Sequence, residues 1–479
     1  MKKVFVYGAF NVLHPGHLRL LRFAKELGDI LIVGVLSDKV AGISAHIPEN
    51  YRLEAVQSNK MADQVILIDQ PIEEVIEVLK PEIVVKGKEF EKKINPEMKV
   101  IKKYGGRLIF SSGEAMFSSL DLIRGEFNSY LNSSMKSPKS YIENHKISLD
   151  RLINFINKFS SLRVCVIGDL IVDEYISCEP LGMSQEDPTL VVSPIDSIKF
   201  IGGAGIVAAH AATLGANVSF ISVAGEDENK QFSSNALEKL NVKSVIFSDI
   251  ERPTTHKQRY RAQDKTLLRV SHLHQGAISV DIQKNILECF KGIVSQIDLL
   301  VFSDFNYGCL PQELIDELIK LAREHGVFCS ADSQSSSQVG NIARFKDMDL
   351  ITPTEREARI STRNFESGLV VLAEKLMEDS RSKNIVLKLG ADGALIQLPK
   401  TSTSLWVTDR IPALNVNPKD VAGAGDSLLI AASLSLVLGA SIWEAALIGS
   451  VAAAIQVGRI GNMPLKNEEL IRDVNGLAD

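Results

Sequence analysis

The chain has 479 residues, 45% of them hydrophobic and 23% charged, and its 53 Lys and Arg against 59 Asp and Glu leave a net charge of −6. At roughly 150 residues per domain that length predicts about three domains, or two where one is a large α/β unit, and the composition excludes a disordered, collagen-like or fibrous chain. A mildly acidic chain with no long basic run lacks the clustered cations that neutralise phosphate backbones, so nucleic acid is not an expected partner.

The first ten residues, MKKVFVYGAF, break after a short apolar run and read as a buried strand, not a signal peptide. From there apolar runs VFVYG, ILIVGVL, QVILI, EIVVKG and RLIFS alternate with helical patterns over 17–27, 52–62, 72–79 and 96–104. Strands alternating with helices of about ten residues predict a parallel sheet covered on both faces. Residues 128–149 are rich in Ser, Asn and Lys and poor in aliphatics, which predicts a linker, with helix an option after Leu149. The expected division is a first domain over 1–130, a linker over 131–150 and a second domain over 151–479. The second block opens with RVCVIGDLIVDEY, read as a strand running into a polar loop. It continues through VSFISVAG, LLVFSDF, FCSAD, DLITP, IVLKLG and ALIQL to helices over 424–439 and 442–457. One continuous α/β rhythm over that length predicts a single large domain, and no internal repeat is visible. The longest apolar candidate, 428–441, falls short of the roughly 18 residues that suggest a membrane span. Five cysteines (165, 178, 289, 309, 329) show no C-x-x-C spacing. They read as reduced thiols, and a cytoplasmic, soluble protein is expected.

Two motifs carry chemistry. The first, Gly8-Ala-Phe10-Asn11-Val-Leu-His14-Pro-Gly-His17, follows the first strand and opens a helix. Two histidines three apart at a helix N-terminus can both face an anion held by the dipole and the free amides. Gly8 and Gly16 let the backbone approach phosphate oxygens, and imidazoles there can stabilise a pentacovalent phosphoryl centre without a covalent intermediate. A histidine pair alone equally fits a plain surface turn; the strand–turn–helix context favours the phosphate. Zinc is a further option for the pair, with no third ligand nearby. The second motif is Asp420-Val-Ala-Gly423-Ala424-Gly425-Asp426, which enters a long helix of small residues. Backbone amides of 423–425 at a helix start form an anion hole, and Asp426 is placed to take the proton of an attacking hydroxyl. A lone Gly-x-Gly-Asp is otherwise an ordinary tight helix start.

The first motif resembles the nucleotidyltransferase (cytidylyltransferase-like) superfamily over about residues 1–130. Further matching pieces are Gly34-Val-Leu-Ser-Asp38, Arg52, Val84-Val-Lys86-Gly87 and Phe117-Ser118-Ser119-Leu-Asp-Leu-Ile123. The resemblance implies a Rossmann-like unit that binds a nucleotide through Gly8, Phe10, Asn11, Lys86, Ser118 and Ser119, with His14 and His17 catalytic. One loop departs from it: relatives that adenylylate sugar phosphates carry lysines after the second strand, where this chain reads VAGISAHIPEN with only Lys39 nearby. Missing cations weaken transition-state stabilisation, so a regulatory nucleotide-binding unit stands beside a working transferase.

The second block resembles the ribokinase-like (PfkB) carbohydrate kinases over about 160–475, which implies a three-layer α/β/α domain. Its pieces are Gly168-Asp169-Leu-Ile-Val-Asp173, Phe200-Ile-Gly202-Gly203-Ala-Gly205, Thr352-Pro-Thr354-Glu355-Arg-Glu357, Lys388-Leu-Gly390-Ala-Asp-Gly393 and the Gly-Ala-Gly-Asp run, with Ala422 in place of a usual threonine. The resemblance implies that Thr354, Glu357, Lys388, Gly390, Gly393, Gly423, Ala424 and Gly425 hold ATP. Mg²⁺ would bridge the phosphates near Glu357, and Asp426 would be the base. It places the sugar against Asp169, Asp173, Gly202, Gly203, Lys257, Arg259 and Asp304. Pro253-Thr-Thr-His-Lys257-Gln-Arg259, Leu267-Leu-Arg269, Ser303-Asp304-Phe-Asn306-Tyr307-Gly308 and Ser184-Gln-Glu186-Asp-Pro188 look like the heptose-phosphate kinases of lipopolysaccharide-precursor synthesis. Cations such as Lys257, Arg259 and Arg269 suit a phosphorylated sugar. Asn306-Tyr307 and Asp332-Ser-Gln334 stand where that family has lysines, which leaves a different, less phosphorylated sugar open.

Both modules together resemble the bifunctional heptose-phosphate kinase/heptose-1-phosphate adenylyltransferases, with the domain order reversed. The resemblance implies ATP-dependent sugar phosphorylation and nucleotidyl transfer to a sugar 1-phosphate, and a homodimer paired through lid strands. The expected partners are small-molecule sugar phosphates and nucleotides, with no membrane. The alternative is a sugar kinase carrying a nucleotide-binding regulatory domain.

Overall fold

A computed structural model describes the whole chain except residues 1, 12, 14, 88–89, 91–94, 111–134, 185, 188, 263–264, 336–338, 401–406 and 479. It divides into two compact units, one over Met1–Asn132 and the other taking in essentially all of the chain from Ser133.

The first unit is built on strands β1 (Lys3–Gly8), β2 (Ile30–Leu36), β3 (Gln64–Ile68), β4 (Ile83–Lys86) and β5 (Arg107–Phe110). They form an all-parallel sheet in the order β3-β2-β1-β4-β5. Chain order reverses at β1, between β2 and β4, which is where an open α/β sheet leaves a crevice at its strand ends. Val4, Val6, Leu31, Val33 and Val85 face one apolar layer and Phe5, Ile32 and Val84 the other. Strands buried on both faces are continuous apolar runs for that reason.

The second unit holds a nine-stranded sheet of β6 (Arg163–Gly168), β9 (Asn217–Ala224), β10 (Lys243–Ser248), β13 (Leu299–Asp304), β14 (Phe328–Ser333), β15 (Leu350–Ile351), β16 (Ile385–Lys388), β17 (Ala394–Gln397) and β18 (Thr408–Ile411). Their order is β10-β9-β6-β13-β14-β15-β16-β17-β18, parallel as far as β16 and antiparallel beyond it. The helices Ala424–Val437 and Ile442–Val457 are buried almost all round, which is why their sequence carries no polar stripe. A separate four-stranded sheet, β12-β11-β7-β8, is made from β7 (Leu170–Met183), β8 (Leu190–Gly203), β11 (Thr255–Ala262) and β12 (Lys265–His272).

The structure departs from the sequence reading in two places. The stretch after Leu170, expected as a polar loop, is the 14-residue strand β7. Its outer half and much of β8 are exposed, so the apolar alternation that marks a half-buried strand is missing. The expected linker over 131–150 is, from Met135 onward, part of the second unit. Lys139–Asn144 and Leu149–Asn157 are helices, and Tyr141, Ile147, Leu152 and Ile156 belong to the core. The Tyr141 hydroxyl donates to the Trp443 carbonyl at 2.9 Å, and the His145 ring stacks on Trp443 at 4.0 Å. Polar residues on the solvent side of these short helices hide that anchoring face.

All five cysteines are thiols, four of them buried. No helix of the described residues is long and apolar enough to cross a membrane.

Candidate active site

A cavity of about 460 Å³ lies at the carboxyl ends of the parallel strands of the second unit, where open α/β sheets place their ligands. Its lining brings together thirteen of the residues expected there: Asp173, Gly203, Lys257, Arg259, Thr354, Glu357, Lys388, Gly390, Gly393, Gly423, Ala424, Gly425 and Asp426. Strands β7, β8 and β11 of the four-stranded sheet supply Asp173, Gly203, Lys257 and Arg259, and the main sheet with the turns and helix starts that follow its strands supplies the rest.

The turn before the helix Ala424–Val437 needs its glycine. Gly423 caps that helix with φ 75°, and a Cβ there would sit 2.4 Å from the Asn462 Oδ1. Only glycine takes that left-handed conformation without strain. Asp426, in the first turn, is buried. Burial above all, with Asp332 and Asp173 adding to it against Lys388 and Lys257, pushes its carboxyl up to about 7. A base poised near neutral pH is what proton abstraction from a sugar hydroxyl requires. Gln334 donates through Nε2 to Asp426 Oδ1 at 3.1 Å.

Beside it Lys388 Nζ pairs with Asp332 Oδ2 at 2.7 Å. Burial alone would depress the lysine, but Asp332, Glu357 and Asp426 outweigh it and raise it. Burial lifts Asp332 to about 6 despite the lysine. Glu357 closes a capping box with Thr354. One of its oxygens accepts from the Ser335 amide at 3.0 Å and the other from the Thr354 amide at 2.7 Å. Each oxygen keeps a second lone pair, which fits a water-bridged Mg²⁺ of the kind that keeps most of its hydration. Among the described residues no group of three or more His, Cys, Asp or Glu is placed to hold a metal ion by itself. Past Gly390 and Gly393 the wall is apolar (Pro412, Ala413, Leu414, Ala453, Val457) and suits a flat base.

At the lid side Arg259 Nη1 holds Asp173 Oδ1 at 2.6 Å, and Asn462 Nδ2 donates to Asp173 Oδ2 at 3.2 Å. Gly202 lets that carboxylate approach, since a Cβ there would meet Asp173 Oδ2 at 2.3 Å. Lys257 Nζ lies over the rings of Phe305 and Tyr307 at 5.2 and 5.1 Å, a cation–π seat with the ammonium still available to an anion.

Other expected residues lie elsewhere. Asp169 is not in the cavity lining; its carboxylate accepts from the amides of Phe305, Tyr307 and Cys309 at 2.7, 3.3 and 3.1 Å and shapes that loop. Burial, then Asp304, raises it to about 6. Asp304 is likewise turned inward, onto Ser333 Oγ at 2.7 Å and Arg344 at 2.8 Å. Arg269 is exposed on β12. Asn462 was not singled out, and Gln334 only within the run that stands where the resembled family has a lysine: Asn462 meets Asp173 across 289 residues of sequence, a pairing that no local pattern signals.

In the first unit Gly8 ends β1, and Phe10 is core, with its ring 5.1 Å from that of His17, edge to face. Asn11 fastens the loop after β2: its Nδ2 donates to the Ser44 carbonyl and its Oδ1 accepts from the His46 amide, both at 2.7 Å. Arg52 is fully buried and donates to the carbonyls of Ala9, Leu36 and Ile47 and to Asp38 Oδ1, so one guanidinium ties the ends of β1 and β2 to that loop. Lys86, expected at the nucleotide, pairs with buried Glu97 at 2.5 Å and also donates to Asn95 at 2.7 Å. Sequence spacing did not reveal this pair. His14, Ser118 and Ser119 lie outside the described residues.

A glycine-capped helix start, a buried carboxylate and two cations from β11 line one cavity. Residues 161–468 match the pfkB family of carbohydrate kinases, and residues 5–114 match the cytidylyltransferase-like family. The chain belongs to the pfkB carbohydrate kinase family. Among curated proteins it is similar to Bifunctional protein HldE of Citrifermentans bemidjiense, 28% identical over 326 residues, covering 67% of this chain and 65% of that one. It is also similar to Bifunctional protein HldE of Desulfatibacillum aliphaticivorans, 30% identical over 319 residues, covering 66% and 63%. The chain thus spans a little under two thirds of the length of these relatives. Escherichia coli phosphofructokinase-2 in complex with substrates and products shares the fold at TM-score 0.54 and 18% identity, over 66% of this chain and 99% of that one. So does Arabidopsis thaliana ribokinase complexed with ribose and ATP, at TM-score 0.51 and 18% identity, over 65% and 98%.

Proposed function

We propose that the chain is a bifunctional enzyme of sugar-nucleotide synthesis. The kinase unit phosphorylates a sugar phosphate of the heptose 7-phosphate type with ATP, and the N-terminal unit transfers an adenylyl group to a sugar 1-phosphate. The observation that carries the kinase reading is buried Asp426, held near neutral in its affinity for a proton, at the helix start that also presents the 423–425 amides. In this reading the acceptor hydroxyl gives its proton to Asp426 as its oxygen attacks the γ-phosphorus, and ADP leaves. The amides take up charge developing on the transferring group. Lys257 and Arg259 orient the sugar and its phosphate, and Lys388 steadies the nucleotide side. Mg²⁺ carried with ATP and reached from Glu357 would supply neutralisation of the triphosphate.

In the transferase the sugar 1-phosphate attacks the α-phosphorus and pyrophosphate leaves, with His14 and His17 stabilising the phosphoryl centre. The exposed apolar side chains on β7 and β8, among them Leu181, Met183 and Ile198, support a homodimer closed through the lids. A second reading, a kinase with a nucleotide-binding regulatory unit, draws support from the Lys86–Glu97 pair and the lysine-poor loop. Pyrophosphate release from a panel of nucleoside triphosphates and sugar 1-phosphates separates the two. Release abolished by His17→Ala is the expected result. Silence across the panel while ADP formation persists leaves the second reading.

A further inference from the structure

The base is held by one neighbour. Among the described residues the hydrogen bond to the Asp426 carboxylate comes from Gln334, whose Nε2 lies 3.1 Å from Oδ1. The two cations that act on Asp426 are directed elsewhere, Lys388 to Asp332 at 2.7 Å and Lys257 to the faces of Phe305 and Tyr307. Gln334 lines the same cavity as Asp426. Its main chain is fixed on both sides: the amide donates to the Asp304 carbonyl at 2.8 Å, and the carbonyl accepts from Asn306 Nδ2 at 3.0 Å. Asn306 is itself bent into the left-handed region, with φ 60°, and its amide also reaches Ser333 Oγ at 3.3 Å. That backbone fixes where the side chain starts, and its hydrogen bond to Asp426 fixes where the tip lies.

We propose that Gln334 is a positioning residue for the kinase step: its amide pins one oxygen of the Asp426 carboxylate so that the other faces the acceptor hydroxyl. This rests on Asp426 being the base. The choice of a neutral donor matters chemically. A carboxylate only accepts, so Gln334 presents its NH₂ and orients the base without adding charge. A cation at the same distance would hold the carboxylate ionised and make it a weaker base, while a second carboxylate would make the two share a proton. A neutral amide lowers the proton affinity less than a cation would, so burial and Asp332 still hold it up, in the range where a general base both exists deprotonated and still draws a proton.

The test is the pH dependence of kcat and KM for the full-length protein with ATP, Mg²⁺ and its best sugar acceptor. The variants are Gln334→Ala, Gln334→Glu and Gln334→Lys, with Asp426→Asn as reference. Gln334→Ala is expected to lower kcat about tenfold while KM for each substrate moves less than about threefold, the pattern of an interaction that serves the transition state. Gln334→Lys should shift the acidic limb of kcat down by about one pH unit, and the near-isosteric Gln334→Glu should shift it up by about one. A purely structural role would lower activity in both charged variants without moving the limb in opposite directions. Three variants with the wild-type limb and kcat within about twofold of wild type overturn the proposal. So does a rise in sugar KM alone with Gln334→Ala, which would make Gln334 a sugar ligand. Activity surviving in Asp426→Asn fails the base assignment itself, a result distinct from either.

Discussion

Asp426 and two further buried carboxylates link the site to stability. Burial raises Asp169 and Asp332 to about 6 and Asp426 to about 7, from an ordinary value of 3.8. In the folded chain they keep protons that the unfolded chain has already released. Their stabilisation is therefore complete below about pH 4 and is lost as the pH rises through 6 and 7. His210 works the other way: burial lowers it to about 3 from 6.5, so below 6.5 the unfolded imidazole takes up a proton that the folded one refuses. His256, also lowered chiefly by burial but only partly enclosed, adds to this side. Between pH 5 and 6.5 the three carboxylates outweigh the imidazoles, and above 6.5 the imidazoles contribute nothing. The melting temperature of the ligand-free protein should fall from pH 5.5 to pH 8; a flat or rising profile would contradict these burials. Asp426 was legible in the sequence because its motif lies within one turn, strand end to helix start. Asp169 and Asp304 were legible as important, but their inward orientation depends on the loop at 305–309 folding back over them, and no spacing encodes that.

At the scale of elements, the parallel strands were readable because burial on both faces makes them unbroken apolar runs, as in Val164–Ile167 and Leu299–Phe302. Strands β7, β8, β11 and β12 were not, since much of their surface faces solvent or the cavity, which removes the apolar alternation of a half-buried strand. The short helix Lys139–Asn144 was hidden in a stretch whose composition suggested a linker, and Leu149–Asn157 follows it. They are anchored by Tyr141, Ile147 and the stacking of His145 on Trp443, with His145 Nε2 also 2.7 Å from Asp409. The neighbouring Lys136 amide bonds the carbonyl of Leu414 at 2.7 Å, and Leu414 lines the nucleotide wall. This anchoring has an energetic consequence. Trp443→Ala removes a buried ring and its stacking contact with His145 and should destabilise the kinase unit by about 3–5 kcal/mol. Denaturant unfolding measures it, together with faster trypsin cleavage at Lys139 and Lys146. A loss below about 1 kcal/mol would mean the segment is held some other way.

At the scale of the whole molecule, the chain divides into two α/β units, and each matches a family model over a span that includes its motif at a strand–helix turn. Contacts that cross the kinase site were not recognisable, because they are long-range: Gln334 to Asp426 spans 92 residues and Asn462 to Asp173 spans 289, while Lys86 pairs with Glu97 only 11 residues away. The kinase unit therefore carries the firmer prediction, and its product is the thing to look for. The most direct measurement is phosphorus NMR of the full-length protein with ATP, Mg²⁺ and a heptose 7-phosphate, run beside Asp426→Asn. The account predicts ADP together with a new sugar phosphate resonance, and a rate at least about a hundredfold lower in the variant, the contribution expected of a general base. Sugar phosphorylation at an undiminished rate in Asp426→Asn, or no phosphoryl transfer to this or any other sugar, would contradict it.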